Sequence, residues 1–164
     1  MPSREILKSH LEIEELLHEE TIGYLGLSMS DDPYVVPLNY AYVEGRILLH
    51  CATTGLKIDY LKKNQRVCFA VAKQSSEVRR HSQENPCHMD SDSVVCHGRA
   101  RIVEDPLERK EVLNTFNRSF DADAEEIALE TTNKCCAVVI EIAEMTGRRE
   151  RKQGRTHWKF SFEE

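Results

Sequence analysis

No stretch of this sequence is apolar over the roughly 20 residues that a membrane-spanning helix requires. The opening Met1-Pro2-Ser3-Arg4-Glu5 leads into charged sequence, without the apolar centre of an export signal. A cytoplasmic protein with no membrane partner is therefore expected. A basic excess is missing as well. Lys and Arg number 22 against 28 Asp and Glu, a net charge of -6, and a chain that grips nucleic acid through its phosphates needs the opposite balance. Much of the acid lies before residue 21 and between Asp121 and Glu130. Internal repeats and low-complexity segments are absent. Strands and helices do not alternate regularly, which argues against a parallel α/β sheet. Six cysteines are present, but no export signal accompanies them. A chain of 164 residues buries enough core to fold without staples, so reduced thiols are expected.

What remains is a chain of ordinary globular composition, 40% apolar and 30% charged. It reads as one domain over residues 1–164, with residues 148–164 as a basic extension that carries the only tryptophan, Trp158. Ser9-x-x-Glu12 is a capping box, and Leu11, Leu16 and Leu17 follow at loosely helical spacing, which predicts a helix to about Glu20. Ile22 to Ser28 reads as a strand, and Ser30-Asp31-Asp32-Pro33 as a turn. Tyr34 to Val43 is the clearest strand; it meets Arg46 to Cys51 across Glu44-Gly45, a two-residue hairpin link. A helix opens near Thr53 and runs to about Lys63, and Arg66 to Ala72 is an apolar strand. Residues 73–91 are polar and read as a long surface loop, followed by a strand from Ser93 to Val103. Asp105-Pro106-x-Glu108 starts a helix with proline at its first position, and Val112, Leu113, Phe116 and Phe120 give it a buried stripe. A second short helix is expected from Asp121. A final β-branched strand spans Cys135 to Ile142. Trp158, Phe160 and Phe162 alternate, which favours docking of the extension as a short strand. About six strands with interposed helices indicate a mainly β fold, an antiparallel sheet or small barrel decorated by helices.

The informative stretch is Pro33-Tyr34-Val35-Val36-Pro37-Leu38-Asn39-Tyr40, followed by His50-Cys51-Ala52-Thr53-Thr54-Gly55-Leu56-Lys57. It resembles the pyridoxamine-phosphate-oxidase-like flavoproteins, and within them the nitroimidazole-resistance-protein branch, whose pattern is P-x-V-V-P-x-N-Y, a hairpin, then H-x-A-x-x-G-x-K. The likeness continues through Ser93-Val94-Val95, Gly98-Arg99-Ala100 and Val103-Glu104-Asp105-Pro106, and ends near Thr146-Gly147-Arg148. The resemblance implies a split antiparallel β-barrel that dimerises, with FMN held at the homodimer interface. It also implies an oxidoreductase acting on a small molecule, with nitro-group reduction as the nearest activity.

The residue chemistry runs parallel to this. A flavin phosphate is a dianion, and Thr53 and Thr54 supply hydroxyls where a helix begins and N–H groups are unpaired. Gly55 permits close backbone approach and Lys57 adds a charge. The plainer alternative is that a threonine caps the helix while Lys57 is solvated. Pro37 removes a ladder donor, so its strand lies at an edge, at a bulge or locally unpaired. The resemblance sets the strand Val36, Pro37, Leu38 and Asn39 beside the isoalloxazine, with Cys51 and Ala52 next to the pocket. It also makes His50 the residue near the ring that contacts substrate or moves a proton; a hydrogen-bonded histidine at a strand end is the alternative. Ser93 is either a polar flavin contact or a strand-edge hydroxyl bonded locally. Leu56 stands where the branch often carries arginine, which removes one phosphate cation.

Cys87-His88 and Cys96-His97 offer metal-ligand types, but neighbours on a strand face opposite ways, so no metal site is expected. His81, His88 and His97 leave a haem-binding or flavin-binding carrier as the alternative to an enzyme.

Overall fold

Two ends of a sheet are joined here by one residue. The computed structural model describes residues 4–74, 91–151 and 154–162. In chain order these form α1 (Arg4–Glu19), β1 (Ile22–Met29), β2 (Asp32–Asn39), β3 (Ala41–Val43), β4 (Arg46–Cys51), α2 (Leu56–Lys63) and β5 (Arg66–Gln74). β6 (Ser91–Ile102), α3 (Pro106–Phe120), a 3-10 turn (Leu129–Lys134), β7 (Cys136–Arg151) and β8 (Gly154–Ser161) follow. The strands pair in the order β2-β1-β5-β6-β7-β4-β3, with β8 also on β7, and every pairing is antiparallel. β2 and β3 are the ends of this path, yet only Tyr40 separates them in sequence. A single residue spans less than one strand spacing, so the sheet must curl until its ends meet. The result is the split antiparallel barrel with peripheral helices that the sequence implies.

Local chemistry accounts for the tight turns. Ser30 and Asp31 both have positive φ, 50° and 67°, as do Glu44 and Gly45, 49° and 77°; this is the two-residue hairpin geometry that Gly, Asn and Asp favour. Inside the curl lies the main core, which includes Leu25, Leu27, Tyr40, Ile47, Leu49, Phe69, Val94, Ile140 and Met145. α1 covers it with Ile13, Leu16 and Leu17, an i, i+3, i+4 face. Leu11, expected on that face, is 64% exposed; Ile13 is the residue that the helical turn brings inward. Tyr40 anchors the corner: its hydroxyl donates to the Leu17 carbonyl at 2.8 Å in a buried setting, and its ring meets Phe69 edge-on at 4.9 Å. A second core lies on the outer face, where Val112, Leu113 and Phe116 of α3 cover Ala41, Leu48, Ala137 and Val139. The Asp105 side chain caps α3 by accepting from the Glu108 N–H at 2.8 Å, with Pro106 in the first turn.

Several expectations change. The run Tyr34 to Val43 is two strands, because Tyr40 leaves one ladder and enters the other. The described strands number eight rather than six. Residues 121–128 form no helix, and a 3-10 turn follows at Leu129. The last strand does not end at Ile142 but runs to Arg151, and β8 pairs alongside it. The described residues of the basic extension are thus part of the sheet, in β7 to Arg151 and in β8 from Gly154 to Ser161, with Trp158, Phe160 and Phe162 packed on the main core. β5 extends to Gln74, and the rest of the expected loop, with Cys87, His81 and His88, lies outside the described residues. No helix among them is long and apolar enough to cross a membrane.

Gly98 sits where the β6–β7 register shifts, a bulge position. A Cβ there would overlap the Glu141 carbonyl oxygen and lie 3.2 Å from the Ile142 Cα. Both obstacles are backbone, which cannot turn aside as a side chain can. Gly98→Ala is expected to destabilise the fold by about 2 kcal/mol or more, read as a lowered urea midpoint at unchanged slope; an unshifted midpoint would refute the close approach.

Candidate functional site

β3 and β4 pair through Ala41↔Leu48 and no further. Continued by two residues, that register would set Asn39 against His50. Instead Asn39 pairs with Ile22 on β1, and His50 pairs with Ala137 on β7. β2 and β4 therefore diverge, and a split opens between them. Asn39 and His50 line a cavity of about 420 Å³ at this point, together with Phe116, Asn117, Phe120, Asp121 and Ala124.

The lip from β2 carries the expected Val36, Pro37, Leu38 and Asn39. Val36 and Leu38 turn inward onto the main core, while Pro37 and Asn39 are exposed. Pro37 is on the outermost strand of the path, paired on one side only with Tyr24; the edge reading of this proline holds. The Asn39 amide is held by donating to the Thr21 carbonyl at 3.1 Å. The lip from β4 carries His50, exposed, and Cys51, half-buried. The His50 ring stands edge-on to Phe116, with centroids 4.7 Å apart at 80°.

Ala52, Thr53, Thr54 and Gly55 then form an exposed loop into α2. Gly55, not a threonine, is the N-cap residue, and no side chain caps the helix. The alternative in which Thr53 or Thr54 serves as a cap is thereby removed: among the described residues neither hydroxyl has a partner. Gly55 has φ 120° and ψ 173°, a conformation that residues with a Cβ rarely adopt, and the space beside it is open. The first N–H groups of α2 lack intrahelical acceptors and lie at the end of this loop. Leu56 is 54% exposed. Lys57 is half-buried and near enough to Cys51 for its charge to favour the thiolate. Burial outweighs that pull, and with Cys136 and Cys135 adding to it the Cys51 thiol is pushed above its ordinary value.

Ser93 does not join this group. It lines a different hollow with Thr146, Arg148, His157 and Lys159. Its β7 partner is Arg148, whereas that of His50 is Ala137, on the order of 35 Å away along an extended strand. Sequence reasoning also missed a wall. Asn117, Phe120 and Asp121 close the cavity from the end of α3. Phe120 was expected in the buried stripe, but α3 ends there and leaves it 47% exposed. Cys96 and His97 do face apart, one buried and one exposed.

The family model described as Pyridoxamine 5'-phosphate oxidase matches residues 9–149. No match is found among curated proteins. Among solved structures, the chain is similar to a candidate 5-nitroimidazole antibiotic resistance protein from Bacteroides thetaiotaomicron. The identity is 25%, over 84% of this chain and 81% of that one, with a TM-score of 0.71. It is similar to an FAD-binding protein from Mesorhizobium loti at 27% identity, over 86% of this chain and 94% of that one, with a TM-score of 0.64. An FAD and heme binding protein from Mycobacterium smegmatis shares the fold at 16% identity, with 98% and 72% coverage and a TM-score of 0.69.

The electrostatics of the loop are testable through Cys51. A raised thiol pKa means little thiolate at pH 8, so alkylation of Cys51 by iodoacetamide should be slower than that of a free thiol and should climb steeply at higher pH. Lys57→Ala removes the one opposing charge and should slow the reaction at pH 8 further. Site-resolved mass spectrometry reads both rates, and a faster reaction in the variant would refute the Lys57–Cys51 proximity.

Proposed function

The chain belongs to the pyridoxamine 5'-phosphate oxidase family, and from that membership we propose that it is a flavoprotein oxidoreductase that holds FMN in the split between β2 and β4. The observation that carries this reading is the convergence of Asn39 and His50 at the point where the barrel opens, with an uncapped helix start and Lys57 on the same lip. The residues fit the group. A phosphate dianion is served by the free Thr53 and Thr54 hydroxyls, the unpaired N–H groups at the start of α2 and the Lys57 ammonium. The open, left-handed Gly55 leaves room for a phosphate against the backbone. A single ammonium there suits the one phosphate of FMN. The exposed edge of β2 at Pro37 and Asn39 offers a flat, partly unpaired surface to a ring. When bound, the flavin supplies the redox chemistry, and the protein supplies orientation and electrostatics.

His50 faces the cavity from the opposite lip. Its imidazole can give or take a proton near neutral pH, and Phe116 holds the ring so that one edge points outward. Phe120 and Asn117 line the cavity beside it. The substrate is a small molecule, and reduction of a nitro group is the activity that the resemblance and the Bacteroides neighbour favour.

The working unit in this reading is a homodimer with the flavin at its interface. Two features support it. Ile22 and Tyr24 are large apolar residues at least 49% exposed, two positions apart on one face of β1. Ser93, the other residue assigned to the flavin, is far from the split, and a second copy could bring it there.

An absorbance spectrum with added FMN, run beside a sizing column, tests the whole. Flavin bands that co-elute with a dimer are expected; a chain that stays colourless would refute the reading. Lys57→Ala is expected to weaken FMN binding about 10-fold, the worth of one charge-assisted contact, with no change in melting temperature. His50→Ala should keep FMN yet slow nitroaromatic reduction about 100-fold. Equal turnover would reduce His50 to a wall of the cavity.

A further inference from the structure

A second concavity, of about 830 Å³, lies on the outer face of the sheet. It shares no residue with the cavity in the split. Its chemistry begins with a conflict. Arg66 on β5 and Arg99 on β6 are direct partners in the ladder, and both are exposed. Like charges set opposite one another destabilise a sheet. Other cations of this acidic chain meet a carboxylate, as in Arg101–Glu108 and Lys110–Glu126. This facing pair does not. Among the described residues the Arg66 guanidinium has no ion pair or hydrogen bond, and that of Arg99 reaches only Gln65 Oε1, at 3.3 Å. Glu141, the β7 partner of Arg99, pairs with neither and acts instead on Arg101.

The pair is also held in place. Asn64 Oδ1 accepts from the Arg66 N–H at 3.0 Å, and its Nδ2 donates to the Ser28 carbonyl and hydroxyl at 3.2 and 3.1 Å. The Gln65 carbonyl accepts from the Ala100 N–H at 2.8 Å. Beside the two cations the concavity is floored by Gly26, Pro33, Val35 and Cys68, with His97 at its rim. The floor is apolar and, at Gly26, free of side chain.

We propose that this groove binds a nucleotide, its phosphate between Arg66 and Arg99 and its base on the Pro33–Val35 floor. Two facing guanidinium groups call for a dianion, which a phosphate monoester is and a single carboxylate is not, and the arginine fork matches phosphate oxygens in pairs. The floor takes a flat body that an inorganic anion lacks. The volume lies within the range of small-molecule sites. The proposal does not depend on flavin in the split.

Isothermal titration of the full chain with AMP at low salt tests it. One saturable site per chain is expected. Arg66→Gln and Arg99→Gln, both at exposed positions where the fold should survive, should each weaken AMP about 10-fold or more, while Lys57→Ala leaves AMP affinity unchanged. Inorganic phosphate should compete only weakly, and FMN should not displace AMP. Absence of saturable binding, or binding indifferent to both arginine variants, overturns the site. Phosphate competing as strongly as AMP overturns the nucleotide assignment, and displacement by FMN shows the groove to be a flavin site instead. Variants that dissociate a dimer in sedimentation while AMP fails to bind the parent chain would assign the arginines to a contact between copies, and the proposal falls.

Discussion

The closure at Tyr40 is the constraint on which the other features rest. A curled sheet can end in two free edges or can return on itself. Here the chain passes from the first strand of the path to the last within one residue, so the return is covalent. That residue is fixed from three sides: its N–H donates to the Thr21 carbonyl at 3.4 Å, its hydroxyl to the Leu17 carbonyl, and its ring packs on Phe69. A hydroxyl this buried must find a partner or lose on the order of 1 to 3 kcal/mol, and α1 supplies one. The same burial, with Glu20 nearby, pushes the phenol well above its ordinary pKa, so it stays a neutral donor. α1 thus helps to hold the corner as well as covering the core.

Closure at one point forces opening beside it. β2 cannot pair with β1 and remain beside β4, because the right-handed twist carries the two ladders apart. The split is therefore a consequence of the corner, and the residues that flank the corner in sequence, Asn39 on one side and His50 across the hairpin on the other, become its lips. The candidate site thus sits where backbone groups leave their ladders: an edge strand with a proline and a strand end running into an uncapped helix both present unpaired donors and acceptors.

The turns, the capped α3 and the family's ordered letters were legible in the sequence, because each is set by local chemistry; for Pro37 an edge, a bulge or a local gap stayed open until the strand order chose the edge. What was not legible depended on partners. Tyr34 to Val43 alternates like one strand, and nothing local says that Tyr40 changes neighbours midway. The β-branched run ends at Ile142, whereas β7 continues to Arg151, since β6 and β8 supply ladders on both sides of a polar segment. A helical stripe likewise does not reveal where its cover stops: Val112, Leu113 and Phe116 are buried against the sheet, and Phe120, one turn on, passes beyond its end. The resemblance assigns Ser93 to the flavin along with the split residues, yet within one chain Ser93 pairs with Arg148 of β7 and His50 with Ala137, a separation that no letter pattern carries.

The two cores divide the work unequally. The inner one holds the curl closed and leaves the split no freedom at its root. The outer one, under α3, places Phe116 against His50, so the packing that buries Val112 and Leu113 also orients the ring of the candidate acid. Stability and site geometry meet in a single helix. A loosened α3 would leave the barrel intact, because its main core does not use that helix, while removing the wall from the cavity. In this fold the scaffold and the site can therefore fail separately.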